Sequence, residues 1–260
     1  MSGPAARVAA GVAAVLASVP ALAGCGSGDG SSSRAHGGTL TVLAASSLTE
    51  AFTTLSHDFE HDHPGTRVRL SFDSSATLAE QVDQGAPADV LATADEDTMR
   101  AVAHAGHVRG DPTVFATNHL VLAVPDDNPA RIRRFADIAR PGVEYVVCVR
   151  SAPCGSLAAT LLRGAGITAR PASEEVDVKA VLTKVRLGEA DAGLVYASDV
   201  ASAGGDVRQV DVPAGRRTLN RYPVAALSDA SEPALARSWV RLVTSPTGRR
   251  VLAHDGFAAP

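Results

Sequence analysis

The chain has 260 residues, 45% of them hydrophobic, enough apolar material for one large or two medium domains with buried cores. Its 24 Lys and Arg against 28 Asp and Glu leave a formal charge of −4. With no run of basic residues either, nucleic acid and anionic membrane surfaces have no broad electrostatic attraction here, and any anion site has to be built locally.

The N-terminus carries Arg7, an apolar stretch from Val8 to Ala21, and then Leu22-Ala23-Gly24-Cys25. The stretch is short for a membrane span and reads as an export signal over residues 1–24. Small residues just ahead of a cysteine resemble the processing site of bacterial lipoproteins, which makes Cys25 the lipidated residue; a plain signal peptide with an incidental cysteine is the alternative. Residues 25–38, rich in Gly and Ser, read as a tether without core-forming capacity. The expected location is outside the cell membrane, anchored to its outer face by lipid. Cys148 and Cys154 are then an even pair in an oxidising compartment, so a disulfide is expected, with free thiols or a two-ligand metal site as the alternative.

From Thr39 the patterns alternate. Thr39 to Ala45 reads as a strand, and Leu48, Ala51, Phe52, Leu55 and Phe59 then recur at helical spacing. Val68 to Phe72 is β-like, Thr77 to Gln84 helical, Ala88 to Ala94 β-like, Glu96 to Ala105 helical, and His119 to Val124 a buried strand. Ala130 to Ala139 reads as helix, Val143 to Val149 as strand, Ser156 to Gly164 and Val178 to Leu187 as helices, and Ala192 to Tyr196 as another buried strand. Leu235, Trp239, Leu242 and Val243 mark an amphipathic helix, and Ser245-Pro246 opens a final one. This order predicts an α/β protein with largely parallel sheets. Two sheets divide it better than one very wide sheet, so lobe one is placed at residues 39–123 plus 224–260 and lobe two at 124–223. Ligands of such sheets sit beyond the carboxyl ends of the strands.

Two turns fall there. Ser46-Ser47-Leu48-Thr49-Glu50 and Ser74-Ser75-Ala76-Thr77-Leu78-Ala79-Glu80 each put a serine pair where a helix begins. Both fit a capping box, and both fit an anion held by helix-terminal amides. Asp73 is the charge beside them and has to turn away from an anion. His57, Glu60, His61 and His63 have i, i+4 spacing that suits a metal, but they lie largely off the apolar face and fit a solvated helix end. No G-x-S-x-G, S-x-x-K or phosphate-loop pattern occurs, which lowers the case for an α/β hydrolase using Ser47 or Ser75 as nucleophile.

The ordered set L-A-A-S-S-L-T-E-A-F, S-F-D-S-S-A-T-L-A-E-Q-V, G-A-P-A-D-V-L-A-T-A-D, A-P-C-G, E-E-V-D-V-K-A-V-L, A-G-L-V-Y-A-S-D and Y-P-V-A resembles the periplasmic molybdate-binding proteins, the substrate-binding components of molybdate ABC transporters. The resemblance spans nearly the whole mature chain. It implies a two-lobed periplasmic-binding-protein-like fold, no enzymatic activity, no cofactor apart from the ligand, and a monomer. The ligand would be molybdate or tungstate, with sulfate or thiosulfate as the alternative. The ion would be delivered to a permease with its ATPase. By the same resemblance Ser47 and Ser75 hold the ion from lobe one through hydroxyl and backbone N–H. From lobe two, Cys154 and Val178 contribute backbone N–H groups and Tyr196 its hydroxyl. Read from its residues alone, Tyr196 ends a buried strand and fits a core tyrosine equally well. Cys154 stands where the best-known members have alanine, and a bond to Cys148 would stiffen that loop.

Overall fold

A computed structural model of the protein describes residues 37–260. The expected signal peptide, the lipidation site Cys25 and most of the tether lie outside the described residues.

The elements, in chain order, are β1 (Thr39–Ala45), α1 (Thr49–Asp62), β2 (Arg67–Asp73), α2 (Ser75–Asp83), β3 (Val90–Ala92), α3 (Glu96–His104), β4 (Thr113–Asn118) and β5 (Leu120–Pro125). They continue with β6 (Tyr145–Cys148), α4 (Pro153–Gly164), β7 (Ser173–Glu175), α5 (Val178–Arg186), β8 (Ala192–Tyr196), α6 (Ala197–Ser202), β9 (Val207–Val210), β10 (Asn220–Ala226), α7 (Pro233–Thr244) and α8 (Pro246–His254). One sheet has the order β2-β1-β3-β10-β4 and the other β7-β6-β8-β5-β9.

Each sheet is mixed. β1 pairs parallel with β2 and β3, and β6 parallel with β7 and β8. β10 and β5, the strands next to the crossings between sheets, run antiparallel to both of their neighbours. The expectation of largely parallel sheets therefore holds for the βαβ units and not for the strands that link the lobes. The crossings also differ from the expected ones at 123/124 and 223/224. The whole of β5 belongs to the second sheet, so the chain leaves the first at His119. The whole of β10 belongs to the first, so the return precedes Asn220. Adjacent strands can diverge into two sheets here because Asn118 turns its amide to Ser198 Oγ, 2.8 Å away, while its carbonyl oxygen accepts the His119 N–H.

β5 and β8 are buried along their whole length, as strands covered on both faces must be. α5 lies directly over β8. Gly193 permits this, because a Cβ there would meet Val181 and Val185 at 2.7 and 2.8 Å. In the first lobe Trp239 of α7 packs edge-on against Phe52 and Phe59 of α1, with ring centroids 5.5 Å apart in each pair, which brings the C-terminal helices back onto the first sheet. Asp89, from the G-A-P-A-D run, is buried and accepts hydrogen bonds from Thr41 N–H, Ser231 Oγ and Glu232 N–H, so it joins β1 to the approach to α7.

Some expected elements change. The helix expected at Ala130–Ala139 is a short 3-10 turn over Phe135–Ala139. Its first half is irregular rather than helical because Asn128 closes a side-chain loop onto both backbone groups of Ile132, Arg131 takes a positive φ, and the Asp137 carboxylate accepts the Arg133 and Arg134 N–H groups. The strand expected at Ala88–Ala94 narrows to Val90–Ala92. α2 and α4 start earlier than expected, at Ser75 and Pro153, which moves Ser75 and Cys154 into first turns.

Candidate functional site

Neither serine turn makes its expected capping box. A 3-10 turn over Ser46–Leu48 precedes α1, whose N-cap is Leu48, and no side-chain cap bond forms there or at Ser74, the N-cap of α2. The hydroxyls go elsewhere. Ser47 Oγ lies 3.0 Å from the Tyr222 hydroxyl, and Ser75 Oγ accepts the Ala94 N–H at 2.9 Å. Glu50, the expected reciprocal partner of the first box, reaches across to Lys179 instead.

Tyr196 is buried at the end of β8. Its N–H is held by Asp199 Oδ2 at 3.0 Å and its phenol oxygen accepts from Asn220 Nδ2 at 2.6 Å. Asp199 caps α6 as its third residue, by reaching back to the Tyr196 N–H. Burial raises both the Tyr196 and Tyr222 phenols above their ordinary range, so both stay protonated donors.

The structure brings Ser47, Ser75, Cys154, Val178 and Tyr196 to one small recess between the two sheets. Ala45, Ser46, Asp73, Ser74 and Ala94 complete the first wall, and Ala152, Pro153 and Asp177 the second. Helix starts converge on it from both sides: α2 and the turn before α1 from lobe one, α4 and α5 from lobe two. First-turn amides have no partner within their own helix. Asp177 caps α5 through the Lys179 and Ala180 N–H groups at 2.7 and 3.0 Å, which leaves the Val178 N–H outside that cap. In α4 the Gly155 and Ser156 N–H groups both return to Ala152 O, and the Cys154 N–H precedes them.

Recess hydroxyls receive support from behind. The Ser75 oxygen accepts from Ala94 N–H and the Tyr196 oxygen from the Asn220 amide, so neither of these bonds uses the hydroxyl's own hydrogen. The third hydroxyl, Ser47, lies 3.0 Å from the Tyr222 hydroxyl, and either of the two can donate to the other. No Lys, Arg or His lines the recess among the described residues. Of the two carboxylates that do, Asp73 Oδ1 accepts the Ser74 N–H and Asp177 Oδ1 accepts two amides. The recess thus offers neutral donors and helix-end dipoles to an anion.

Cys148 and Cys154 are joined in a disulfide, which ties the end of β6 to the first turn of α4. Gly155 completes that junction: a Cβ there would fall 1.9 Å from Val149 O and 2.5 Å from Cys148 O, so only glycine lets the helix start seat against the strand.

The other candidates separate from the site. His61 pairs with Asp62, and the His63 ring stacks on Phe59 at 4.0 Å, with Nδ1 2.9 Å from Phe59 O. Among the described residues no group of three or more His, Cys, Asp or Glu side chains is placed to hold a metal ion. Neither Ser47 nor Ser75 is hydrogen-bonded to a histidine or lysine among the described residues, so neither has the base that a nucleophile needs.

Sequence reading missed the supporting residues Tyr222, Asn220, Asn118 and Ala94. Tyr222 stands in the Y-P-V-A motif, but it lies 175 positions from Ser47 and nothing local links the two. Asn220 and Asn118 carry no spacing signal; only the crossing between sheets brings them to Tyr196 and Ser198.

A family model described as bacterial extracellular solute-binding protein matches residues 40–258. Molybdate-binding protein ModA of Mycobacterium tuberculosis (strain H37Rv) is 44% identical over 246 residues, covering 93% of this chain and 94% of its own. The ModA protein of Escherichia coli K12 is 30% identical over 200 residues, covering 73% and 77%. In fold, the periplasmic molybdate-binding protein of Azotobacter vinelandii superposes with a TM-score of 0.76 at 20% identity, covering 85% of this chain and 99% of its own. The sulfate-binding protein SubI of Mycobacterium tuberculosis gives 0.73 at 18%, covering 85% and 86%. A two-lobed fold, a donor-lined recess between its sheets and this degree of identity together place the chain among the bacterial extracellular solute-binding proteins, in the molybdate-binding protein family.

Proposed function

We propose that the protein binds molybdate, and tungstate with it, outside the cytoplasm and presents the ion to the permease of an ABC transporter with its ATPase. It performs no chemistry on the ion and needs no cofactor besides it. The observation that carries this reading is the set of three recess hydroxyls, Ser47, Ser75 and Tyr196: the oxygens of Ser75 and Tyr196 each accept from an N–H group, and Ser47 sits beside the Tyr222 hydroxyl. A fully ionised tetrahedral oxyanion accepts hydrogen bonds and donates none, which is the complement of such a recess. Ser47 and Ser75 hold the ion from lobe one by hydroxyl and N–H; Cys154 and Val178 by N–H and Tyr196 by hydroxyl from lobe two. Charge-assisted bonds of this kind contribute about 1.5–3 kcal/mol each before desolvation, so no cation is required.

Cys25 carries the lipid and residues 25–38 the tether, which keep a monomeric binding protein near its permease. Phosphate retains a proton near neutral pH and so needs an acceptor, whereas the hydroxyls and helix-start amides proposed to hold the ion serve as donors. Sulfate is the second reading, since the same donors suit any tetrahedral dianion; its smaller size leaves fixed donors with stretched bonds.

Thermal melts with molybdate, tungstate, sulfate, phosphate and zinc decide between these. Ligand at a thousand times its Kd adds about 4 kcal/mol, or roughly 8–16 °C for a chain of this size. Molybdate and tungstate are expected to give that shift. An equal shift with sulfate removes the size argument, and a shift with zinc alone ends the oxyanion reading.

A further inference from the structure

Lys179 follows Val178 in the first turn of α5, and its amine meets both oxygens of Glu50 at 2.9 Å. Glu50 lies in the first turn of α1, three residues after Ser47, so this pair spans the cleft beside two of the expected donors, one from each wall. The amine is also 3.4 Å from Asp199 Oδ1 and 3.3 Å from Ser202 Oγ, both in lobe two. Asp199 is fully buried; its Oδ2 holds the Tyr196 N–H, and its Oδ1 has no hydrogen bond among the described residues.

We propose that Glu50, Lys179 and Asp199 form a charged clasp that holds the two lobes closed over the bound ion. This rests on the oxyanion reading above. The two carboxylates have different tasks. Asp199 shares a lobe with Lys179 and remains beside it whether the cleft is open or closed. A buried carboxylate left without a cation is costly, so Asp199 keeps the amine from swinging into solvent and aims it at the cleft. Glu50 belongs to the opposite lobe and is reached only when the cleft is closed. Its attraction to Lys179 is therefore realised in one state and absent from the other, which is the condition for shifting a conformational equilibrium. Through Asp199 the clasp also touches the backbone of Tyr196, so closure and the placing of that hydroxyl share one side chain. Lys179 and Glu50 are positioning residues: neither is expected to touch the ion.

Stopped-flow binding of molybdate to the full protein tests this with Glu50→Gln, Lys179→Met, their double variant and Glu50→Asp. The half-buried setting of the pair predicts that Glu50→Gln releases the ion about 3–10-fold faster, with the association rate altered less than about twofold. The double variant should release no faster than Lys179→Met alone, and Glu50→Asp should recover part of the loss. Release from Glu50→Gln at the wild-type rate, or single effects that simply multiply in the double variant, overturns the clasp. Small-angle scattering of the ligand-free protein gives a readout that does not depend on which ion is bound. Glu50→Gln should be more expanded than wild type at low salt, and the two should converge at high salt as the pair is screened. Identical scattering at low salt overturns the clasp, whereas absence of molybdate binding by the wild type overturns the oxyanion reading instead.

Discussion

The oxygens of Tyr196 and Ser75 each accept a hydrogen bond from the protein, and in the proposed site each hydroxyl also donates to the ion; single substitutions separate these jobs. Tyr196→Phe removes a donor and leaves the Asn220 amide without its acceptor. Loss of one charge-assisted bond should raise Kd for molybdate about 10- to 100-fold by isothermal titration. Ser75→Ala should weaken binding to a similar degree and also lower stability in urea by about 1–3 kcal/mol, because the Ala94 N–H is then buried without a partner. Asp199 gives a pH test. Burial lifts its pKa to about 6 from 3.8, with Lys179 pulling the other way. The folded state therefore binds this proton more tightly than the unfolded one. The resulting stabilisation is full below about pH 4 and is lost as pH rises through 6. Asp199→Asn lacks that dependence, so the stability of wild type relative to the variant should fall by about 2 kcal/mol between pH 4 and 7 in denaturant titrations. A flat difference would contradict the burial argument.

At the scale of elements, the site is a meeting of helix starts, and its precision depends on how each start is seated. α4 is held by the Cys148–Cys154 disulfide and by the glycine beside it. Replacing both cysteines with serine should cost about 2 kcal/mol by the chain-entropy account and speed molybdate release, since the Cys154 amide is then less firmly fixed. Wild-type release from the reduced protein would show that the helix start holds its place without the bond. The elements legible in the sequence were those with an internal signal: the continuous apolar runs of β5 and β8, and the apolar periodicity of α1, α5 and α7. β7, whose sequence is Ser-Glu-Glu, and β9, Val-Arg-Gln-Val, lack one. They are strands because β6 and β5 present open edges to them. The serine turns misled in a specific way. Their residues satisfy the capping-box pattern, yet tertiary partners 19 positions away in one case and 175 in the other take the hydroxyls.

For the whole molecule the governing feature is that the chain passes between lobes at His119 and ahead of Asn220, so polar residues next to the crossings serve the site directly. Asn220 Nδ2 joins β10 of lobe one to Tyr196 of lobe two, and Asn118 Nδ2 joins β4 to Ser198 of α6. Hinge closure about these strands would convert ion occupancy into a shape that a permease can read. The first lobe also depends on the return of the chain's last helices, which Asp89 and Trp239 secure. Trp239→Ala, in the fully buried contact with Phe52 and Phe59, should cost about 3–5 kcal/mol in denaturant titrations while leaving the affinity of the remaining folded protein near wild type, because no recess residue is touched. A large loss of affinity in the folded fraction would mean that the two lobes are coupled through this core.

The sequence by itself determined the alternating α/β order, the return of the C-terminal helices, the two serine turns and, through its ordered motifs, the family; the five residues that the resemblance named line one recess. Those features are carried by local periodicity and by short contiguous patterns. Tertiary structure alone decided which partner each hydroxyl takes, where the chain crosses between sheets, and that Glu50 faces Lys179 rather than its own helix start. Each of these is a contact between residues far apart in the chain, settled by the packing of two sheets and without any spacing signal to announce it.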